Sequence, residues 1–279
     1  MAKIHRLMPQ HPRMFRAQVV RTERVSPSIH RVTVTGPELT EFSWQGYDHW
    51  FRLFLPLPHQ QGLTLPEFTG DRWYKPYLAI PDDERPHCAN YTVADFRPAA
   101  DDSGEADAEM DIDFVVHVGP TGELEGRAAI WACRARAGDT LAVLDQGLLF
   151  DCPTDASEVI VVADETGLPA TTNILRSLPR DTVGRVIQEV PTAADRRDID
   201  APPGVDVTWI VRDDHATVPG TDALAELLRH TAVDAGGYAF VVGESTLATE
   251  GRRHLHRQGL AKDRIFFSGF WRHESRQAA

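Results

Sequence analysis

The sequence predicts an N-terminal antiparallel β-barrel followed by a C-terminal parallel α/β domain. Up to about residue 150, apolar residues fall in short segments, and the first of these alternate with polar positions, as antiparallel strands with one buried face do. From about residue 155, unbroken apolar runs alternate with helix-like segments, which is typical of a parallel sheet covered on both faces. The length of 279 residues also exceeds that of most single domains. We therefore predict two domains, residues 1–152 and residues 153–279.

The first domain is predicted to contain short strands and one helix. Its strands are, in order, FRAQVVRTERV (15–25), IHRVTVTG (29–36), HWFRLFLPLP (49–58), NYTVADF (90–96) and MDIDFVVHVG (110–119). The acidic stretch RPAADDSGEADAE (97–109) has no apolar periodicity, so we expect a long exposed hairpin loop. The segment 126–144 begins as a short helix, breaks at Gly138 and Asp139, and returns as a strand. Several short strands with one helix favour an antiparallel barrel.

The second domain begins with EVIVVADETG (158–167), an unbroken apolar run that ends in a turn. Such a run is typical of a parallel strand buried on both faces. The predicted elements that follow are helix LPATTNILRSLP (168–179), strands GRVIQEV (184–190) and VDVTWIV (205–211), helix DALAELLRHT (222–231), strand YAFVVGES (238–245), helix LATEGRRHLHRQG (247–259) and strand RIFFSGFWRH (264–273). This alternation predicts an α/β sheet.

The composition excludes several function classes. A net charge of -12 argues against a general nucleic-acid binder, because phosphate neutralisation needs a basic face, although a small basic pocket remains compatible with it. Cys88, Cys133 and Cys152 are widely spaced and odd in number, so we expect free thiols in a reducing cytosol. The sequence has neither the apolar region of a signal peptide nor a run near the ~20 apolar residues of a membrane helix. We expect a cytoplasmic protein without membrane insertion.

Three turns have the features of a phosphate site, although neither G-x-G-x-x-G nor a P-loop motif is present. Gly167 and Gly243 follow predicted strands, at the sheet edge where ligands of α/β proteins bind, and precede helices whose N–H groups favour phosphate. Gly126 opens the helix of the first domain in the same way. Such turns also occur as plain connections, and a single histidine such as His117 is equally consistent with a structural role. No catalytic triad, paired carboxylate or HExxH motif indicates a hydrolase.

Motifs along nearly the whole chain carry a resemblance to one family. They are RVTVTGPEL (31–39), WFRLFLP (50–56), YTV (91–93), DIDFVVHVG (111–119), GRAAIWA (126–132), RARAGD (134–139), ADETGLPA (163–170), VTWIVR (207–212), YAFVVGE (238–244) and FFSGFWR (266–272). In these segments the chain resembles the siderophore-interacting proteins, which are FAD-dependent ferric-siderophore reductases. The resemblance implies a flavodoxin-reductase-like fold, with FAD on the barrel domain (1–152) and NADPH or NADH on the α/β domain (153–279). It implies that the flavin passes electrons to Fe(III) in a siderophore, releasing Fe(II) in the cytosol.

The resemblance also implies roles for individual residues. Those implied to contact FAD are Tyr91 and Thr92 with Val93 at the ring, His117 and Val118 along the ribityl and phosphate region, Gly126, Arg127, Ala128 and Ala129 at the pyrophosphate, and Trp131 near the adenine. Those implied to meet the flavin or nicotinamide are Asp164, Glu165, Thr166, Gly243 and Glu244, with Trp271 controlling nicotinamide access. A basic rim for an anionic ferric siderophore would use Arg52, Arg252, Arg253 and Arg272.

The chain departs from the family pattern at the flavin motif. The pattern is roughly Arg-x-Tyr-Thr-x-Arg, and Ala89 and Ala94 occupy its two arginine positions. A charge-assisted contact with phosphate contributes roughly 1.5–3 kcal/mol, so its loss would weaken FAD binding about ten- to a hundredfold. We hypothesise that Arg127 or Arg85 supplies the missing charge.

Two other functions stay open on the sequence alone. A general flavin or quinone reductase would be indifferent to the iron chelate, and a siderophore-binding or iron-handoff protein would hold its flavin weakly or structurally. The sequence does not identify the siderophore, a metal ligand set or the electron donor, although Arg196, Arg197 and Arg212 are candidates for a 2′-phosphate pocket. Metal binding by His87, Cys88 or His117 stays open, and the expected role of His87 and Cys88 is packing in the barrel. A monomer is the default expectation.

Overall fold

The structure is a computed structural model that describes residues 6–9, 12–60, 62–67, 72–99, 107–119, 121–212, 217–229 and 232–273. It divides into two compact units. Of the described residues, the first unit, the barrel unit, contains those of 7–45 and 49–148, and the second, the α/β unit, contains Arg6, residues 46–48 and those of 149–273.

The barrel unit is a closed antiparallel barrel with the strand order β1-β2-β5-β4-β3-β8. Its strands are β1 (Met14–Ser26), β2 (Ile29–Thr35), β3 (Trp50–Leu55), β4 (His87–Arg97), β5 (Glu109–Val115) and β8 (Thr140–Asp145). Alternate residues of these strands point inward, and Val32, Phe51, Leu53, Ile112 and Val143 are completely buried among them. The predicted antiparallel barrel is therefore confirmed.

Three features of the barrel unit differ from the expected pattern. A helix, α1 (Tyr74–Ala79), lies in the connection between β3 and β4, where the sequence pattern predicts no element. The expected strand 110–119 is interrupted after β5, and its end forms β6 (His117–Val118), which pairs with β7 (Leu124–Glu125). The expected acidic loop 97–109 begins within β4, ends at β5, and has residues 100–106 outside the described part of the chain.

Aromatic packing explains why α1 forms despite its length of six residues. Trp73 and Tyr77 both pack edge-on against Phe54 of β3, with ring centroids 5.8 and 5.9 Å away. A helix this short is marginal by itself, so these tertiary contacts stabilise it. The other helix of this unit is α2 (Arg127–Arg134), as predicted.

The α/β unit is a five-stranded parallel sheet with the order β11-β10-β9-β12-β13. Its strands are β9 (Val159–Ala163), β10 (Val183–Val190), β11 (Gly204–Val211), β12 (Tyr238–Glu244) and β13 (Ile265–Trp271), and its helices are α3 (Leu168–Ser177), α4 (Thr221–Arg229) and α5 (Ser245–Arg257). The strand order reverses between β9 and β12, so these two neighbours define the switch point at whose carboxyl edge ligands bind. Turns of 3₁₀ helix cover Pro37–Glu41 in the barrel unit and Glu165–Gly167, Ala193–Asp195 and Lys262–Arg264 here.

Residues 46–48 belong to the α/β unit although barrel residues precede and follow them. The Tyr47 N–H donates to Ser177 Oγ at 3.0 Å, and the Tyr47 ring stacks on Phe150 with centroids 5.4 Å apart. The Asp48 carboxylate is buried and accepts hydrogen bonds from the N–H groups of Leu149 (3.2 Å) and Phe150 (2.9 Å). Residues 46–48 are therefore anchored to the α/β unit by hydrogen bonds and ring packing.

The three cysteines are free, as expected from their spacing. Within the described ranges, no helix has the length and apolar character needed to cross a membrane.

Candidate functional site

The Tyr-Thr pair lies on β4, inside the barrel unit. Tyr91 pairs with Phe51 and Thr92 with Trp50 on β3, and the Tyr91 ring packs against Phe114 with centroids 4.7 Å apart. Burial raises the pKa of the Tyr91 phenol, which keeps it neutral at physiological pH. The Val93 side chain is completely buried and packs in the core, and its place at the flavin ring stays a prediction.

Helix α2 supplies an anion-binding terminus. Gly126 has φ +83°, a backbone conformation that residues with a Cβ rarely adopt, and its carbonyl accepts the first helical hydrogen bond from Ile130 N–H at 2.9 Å. The N–H groups of Arg127, Ala128 and Ala129 precede that bond and face out of the helix start, where the helix dipole favours an anion.

The short ribbon β6–β7 leads directly into this terminus. His117 pairs with Glu125 and Val118 with Leu124. The predicted His-Val pair therefore lies opposite the two residues that precede Gly126. Val118 is 58% exposed and His117 is half-buried. Both residues therefore lie beside the helix start that the resemblance assigns to the pyrophosphate.

A cleft of about 810 Å³ runs along the outer face of α2 within the barrel unit. Helix residues at positions 127, 130, 131 and 134 line it, while Ala128, Ala129 and Ala132 are buried on the opposite face. The rest of its lining consists of Leu55, Pro56, Leu57, Pro58, His59, Gln60, Gly62, Asp82, Asp83, His87, Gly138, Asp139 and Thr140. Its volume is within the usual range of cofactor sites.

The chemistry of this cleft fits FAD. Arg127 places a cation next to the free N–H groups of the helix start, which suits a pyrophosphate, and Arg134 adds a second cation to the same wall at the other end of α2. Trp131 and Ile130 add an apolar and aromatic surface suited to a flat heterocycle. Asp82, Asp83 and Asp139 add negative charge near the rim, so the two arginines are the favourable electrostatic contacts for an anionic ligand.

The structure decides between the two arginines proposed to replace the family's missing charge. Arg85 donates to the carbonyl oxygens of Tyr77, Leu78 and Ile80 at 2.8–3.2 Å, so its guanidinium caps α1. It also forms an ion pair with Asp82 at 2.7 Å. These contacts hold the Arg85 guanidinium at α1, and Arg85 does not line the cleft, so this geometry gives no support to a phosphate role for Arg85. Arg127 is exposed in the cleft and remains the candidate.

His87 and Cys88 head β4. Burial, and then the nearby Arg127 charge, lower the pKa of His87, which lines the cleft as a neutral imidazole at physiological pH. Burial raises the pKa of the Cys88 thiol to about 11, so it is a thiol and not a metal-binding thiolate at neutral pH. Over the residues that the structure describes, no group of three or more His, Cys, Asp or Glu side chains could hold a metal ion.

In the α/β unit, Asp164 lies at the carboxyl end of β9, beside the switch point. Its Oδ1 accepts hydrogen bonds from Thr166 N–H (2.9 Å) and Thr166 Oγ1–H (2.6 Å). Its Oδ2 accepts from Glu244 N–H (2.7 Å) and Trp271 Nε1–H (3.0 Å). Burial, and then the neighbouring Glu165 charge, raise the pKa of Asp164 to about 7.

Gly243 permits this close packing. Its φ is +125°, and a Cβ at this position would lie 2.6 Å from the Asp164 carboxylate. The sheet register shifts between Gly243 and Glu244, which turns the Glu244 N–H toward Asp164. The absence of a side chain at Gly243 leaves room for the Asp164 carboxylate and its hydrogen bonds. The position of Gly243 beside the nicotinamide stays a prediction.

Glu165 and Arg212 have structural partners. The Arg212 guanidinium pairs with both carboxylate oxygens of Glu165 (2.9 and 3.0 Å) and with Glu189 Oε1 (2.6 Å), and all three residues are buried. Glu189 also accepts from Gly220 N–H and Ala223 N–H at the start of α4. The candidate role of Arg212 at a 2′-phosphate is therefore wrong, because its guanidinium neutralises these two buried carboxylates.

The end of β13 is held against the end of β12. Ser245 Oγ–H donates to the Trp271 carbonyl at 2.8 Å, and His273 N–H donates to Glu244 Oε1 at 3.3 Å. Glu244 also accepts from Thr246 N–H and so caps α5. Trp271 is half-buried, whereas Asp164, Glu165 and Glu244 are buried.

The four substrate-site arginines have different surroundings. Arg52, in the barrel unit, donates to Asn90 Oδ1 at 2.7 Å and lies over the rings of Trp50 and Trp73, 5.4 and 4.8 Å from their centroids. In the α/β unit, Arg252 lies 4.5 Å from the centroid of the Phe267 ring. The exposed Arg253 forms an ion pair with Glu250, and Arg272 is exposed just after β13.

Sequence reasoning missed Arg134, His59 and Gln60, which line the cleft. A signal for Arg134 was present, because it follows Arg127 by seven residues and two helical turns place both on one face. No comparable signal marks His59 and Gln60, since they reach the cleft through contacts with the main chain at Asp83 and Glu84.

Two family models match the chain, one after the other. A model described as a siderophore-interacting FAD-binding domain matches residues 18–148, and a model described as a siderophore-interacting protein matches residues 156–274. The chain is 29% identical over 273 residues to the ferric vibriobactin reductase ViuB of Vibrio cholerae, covering 96% of this chain and 92% of that protein. It is 26% identical over 256 residues to an NADPH-dependent ferric-chelate reductase of Escherichia coli, covering 91% of each chain.

Solved structures are similar over the same length. A siderophore utilization protein from T. fusca superposes with a TM-score of 0.78 and 29% identity, covering 99% of this chain and 97% of that chain. The siderophore-interacting protein SipS from Aeromonas hydrophila superposes with a TM-score of 0.70 and 27% identity, covering 94% of this chain and 99% of that chain.

Proposed function

The chain belongs to the siderophore-interacting protein family, and on that premise we infer that it is a flavin-dependent ferric-siderophore reductase. One observation carries this function: an FAD-binding family model and a siderophore-interacting family model match consecutive regions of one chain, residues 18–148 and 156–274. The relatives named as a ferric vibriobactin reductase and an NADPH-dependent ferric-chelate reductase support the same reaction. The enzyme takes electrons from NADPH or NADH and reduces Fe(III) in a siderophore to Fe(II).

Bound FAD would supply chemistry that no side chain has, the conversion of a two-electron donor to one-electron transfers. The protein binds and orients the participants. In the barrel unit, the N–H groups of residues 127–129, with the charge of Arg127, would hold the pyrophosphate, and Trp131 would flank the adenine. The Tyr91 ring and Thr92 hydroxyl would hold the isoalloxazine, and His117 and Val118 would line the ribityl and phosphate region.

The α/β unit is the proposed site of the electron donor. The carboxyl edge at the β9–β12 switch point is where a nicotinamide would bind, and Thr166, Glu244 and Trp271 are the proposed contacts at this edge. Asp164, Glu165 and Gly243 support that edge from within, through the hydrogen bonds of Asp164 and the ion pairs of Glu165. Residues 1–152 and 153–279 are the proposed FAD and donor domains.

The substrate is a ferric siderophore, and we propose that its anionic groups meet Arg52, Arg252, Arg253 and Arg272. Arg52 is the strongest of these candidates, because the Trp50 and Trp73 rings hold its guanidinium in a fixed orientation. Once reduced, the iron binds hard oxygen donors less tightly and leaves the chelate. A monomer acting in the cytoplasm completes the proposal.

An anaerobic experiment tests the function. Purified protein loaded with FAD is mixed with NADPH or NADH while flavin absorbance is followed, and a ferric siderophore is then added with a ferrous trap. The expected result is flavin bleaching by the donor, followed by recovery of flavin absorbance as the trapped Fe(II) appears. Bleached flavin that passes no electrons to any ferric chelate would overturn the proposal, and reduction of quinones at the same rate would indicate a general reductase.

A further inference from the structure

The Asp164 carboxylate uses its whole hydrogen-bonding capacity inside the α/β unit. An ionised carboxylate has about four acceptor positions, and the two Thr166 donors, the Glu244 N–H and the Trp271 Nε1–H fill them. Asp164 is also completely buried. It therefore has neither an exposed surface nor a free lone pair with which to bind a ligand directly.

The partners of Asp164 differ in how freely they move. Thr166 belongs to the same tight turn, and Glu244 donates from the main chain of the neighbouring strand, so both fix the position of the carboxylate. The carbon of the Asp164 carboxylate would also lie only 2.6 Å from a Cβ on Gly243, so little space surrounds it. The third partner, the Trp271 indole, is a half-buried side chain that reaches Asp164 from another strand, β13.

The main chain of Trp271 is already fixed. Its carbonyl accepts from Ser245 Oγ–H at 2.8 Å, and the strand register pairs Trp271 with Glu244. The orientation of its side chain depends on side-chain contacts, and the Trp271 ring also meets the His273 ring edge-on, with centroids 6.3 Å apart. The bond from Nε1 to Asp164 Oδ2 selects one orientation of the indole at the carboxyl edge of the sheet.

We propose that Asp164 is a positioning residue that holds the Trp271 indole in one orientation and thereby sets how a nicotinamide reaches the carboxyl edge of the sheet. The second half of this statement rests on the proposed function. The loss of such a hydrogen bond is expected to change the ratio of held to released side chains by roughly tenfold. Asp164 acts through Trp271 and not by contact with the donor.

The direct test is the hydrogen exchange of the Trp271 indole N–H, measured by NMR on the full-length protein. The Trp271 signal is assigned by its absence in Trp271→Phe. In Asp164→Asn the side chain has one acceptor oxygen for the same donors, so the indole loses its partner and its exchange is expected to accelerate at least about tenfold. Thr166→Val is the matched control, because it removes a hydrogen bond to the same carboxylate while Oδ2 still accepts from Trp271.

Three outcomes decide the proposal. Fast indole exchange in Asp164→Asn with slow exchange in Thr166→Val supports it. Unchanged exchange in Asp164→Asn, or equal acceleration in both variants, overturns it, because the indole would then be held by other contacts or by the turn as a whole.

The effect on the donor is measured separately, with FAD-loaded protein and NADPH. Asp164→Asn and Trp271→Phe are expected to change the KM for NADPH by a similar factor, and the double variant is expected to add nothing, since both remove one bond. Additive effects would overturn the link to donor access. If Asp164→Asn does not fold, Trp271→Tyr replaces it, since its hydroxyl cannot reproduce the Nε1 geometry. If wild-type protein does not oxidise NADPH, the proposed function fails, while the exchange result still stands.

Discussion

Arg127→Ala should weaken FAD binding by the protein. Arg127 is exposed at the start of α2 and lines the cleft, and the two arginine positions of the family's flavin motif are Ala89 and Ala94. A charge-assisted hydrogen bond contributes about 1.5–3 kcal/mol, and the exposure of Arg127 argues for the lower end of that range. We therefore expect a loss of about 1.5 kcal/mol, or roughly a tenfold higher Kd for FAD.

The assay is titration of apoprotein with FAD, followed by quenching of flavin fluorescence at two salt concentrations. Arg136→Ala is the matched control, since Arg136 is also an exposed arginine but lies outside the lining of the cleft. It is expected to leave the Kd unchanged. Equal Kd values for Arg127→Ala and the wild type would show that Arg127 does not supply the missing charge.

The pKa of His87 gives a second readout that needs no flavin. Burial, and then the Arg127 charge, lower the pKa of His87 in the wild type. Removal of Arg127 should therefore raise the pKa of His87, although burial still keeps it below its ordinary value. An NMR titration of the imidazole measures this change. A pKa that does not move would mean that the Arg127 charge is not close to His87, which contradicts the cleft geometry.

Three further predictions concern stability and reactivity. Gly243→Ala should lower the free energy of unfolding by about 2–5 kcal/mol, because its Cβ would overlap the Asp164 carboxylate. Gly259→Ala is the control and should lower it by about 1–2 kcal/mol, because Gly259 also has a positive φ but no atom lies within 4 Å of the new Cβ. Equal losses of stability in thermal unfolding would contradict the overlap. Arg212→Met should cost about 3–5 kcal/mol, since it leaves two buried carboxylates without their cation, and denaturant unfolding that matches the wild type would refute this. At pH 8, Cys88 should be alkylated about 100-fold more slowly than an ordinary thiol, because burial raises the pKa of its thiol to about 11. The rate of alkylation, measured by mass spectrometry, should increase as the pH rises toward that value. A rate equal to that of a small free thiol would contradict the raised pKa.

Much of the fold could be predicted because its signals are local. The apolar run that became β9 and the alternating residues of β1 and β2 report burial directly through their period. Helix α1 could not be predicted in this way. It has six residues with Pro76 in its first turn, and it is stabilised by the packing of Trp73 and Tyr77 on Phe54, which no local pattern reveals.

The site was predicted less completely, for a similar reason. The resemblance selected Asp164 and the turn around it, but whether a carboxylate at a strand end faces a ligand or the interior depends on distant partners. Those of Asp164 lie 80 and 107 positions further along the chain, at Glu244 and Trp271. The role of Arg85 also depends on contacts that the sequence does not show. Its guanidinium donates to carbonyl groups at the end of α1, a helix that the sequence pattern does not predict.

The segment of residues 46–48 has a consequence for how this protein can be divided. Asp48 accepts hydrogen bonds from main-chain groups 101 positions later, and Tyr47 meets Ser177 at a separation of 130 positions. A polypeptide that began at residue 149 would leave the buried N–H groups of Leu149 and Phe150 without their acceptor, at a cost of about 1–3 kcal/mol each. Gene fission at the boundary between the two matched regions would therefore yield an incomplete second half. In recombination, the α/β unit would have to be transferred to another barrel together with residues 46–48, which lie within the sequence of the barrel unit.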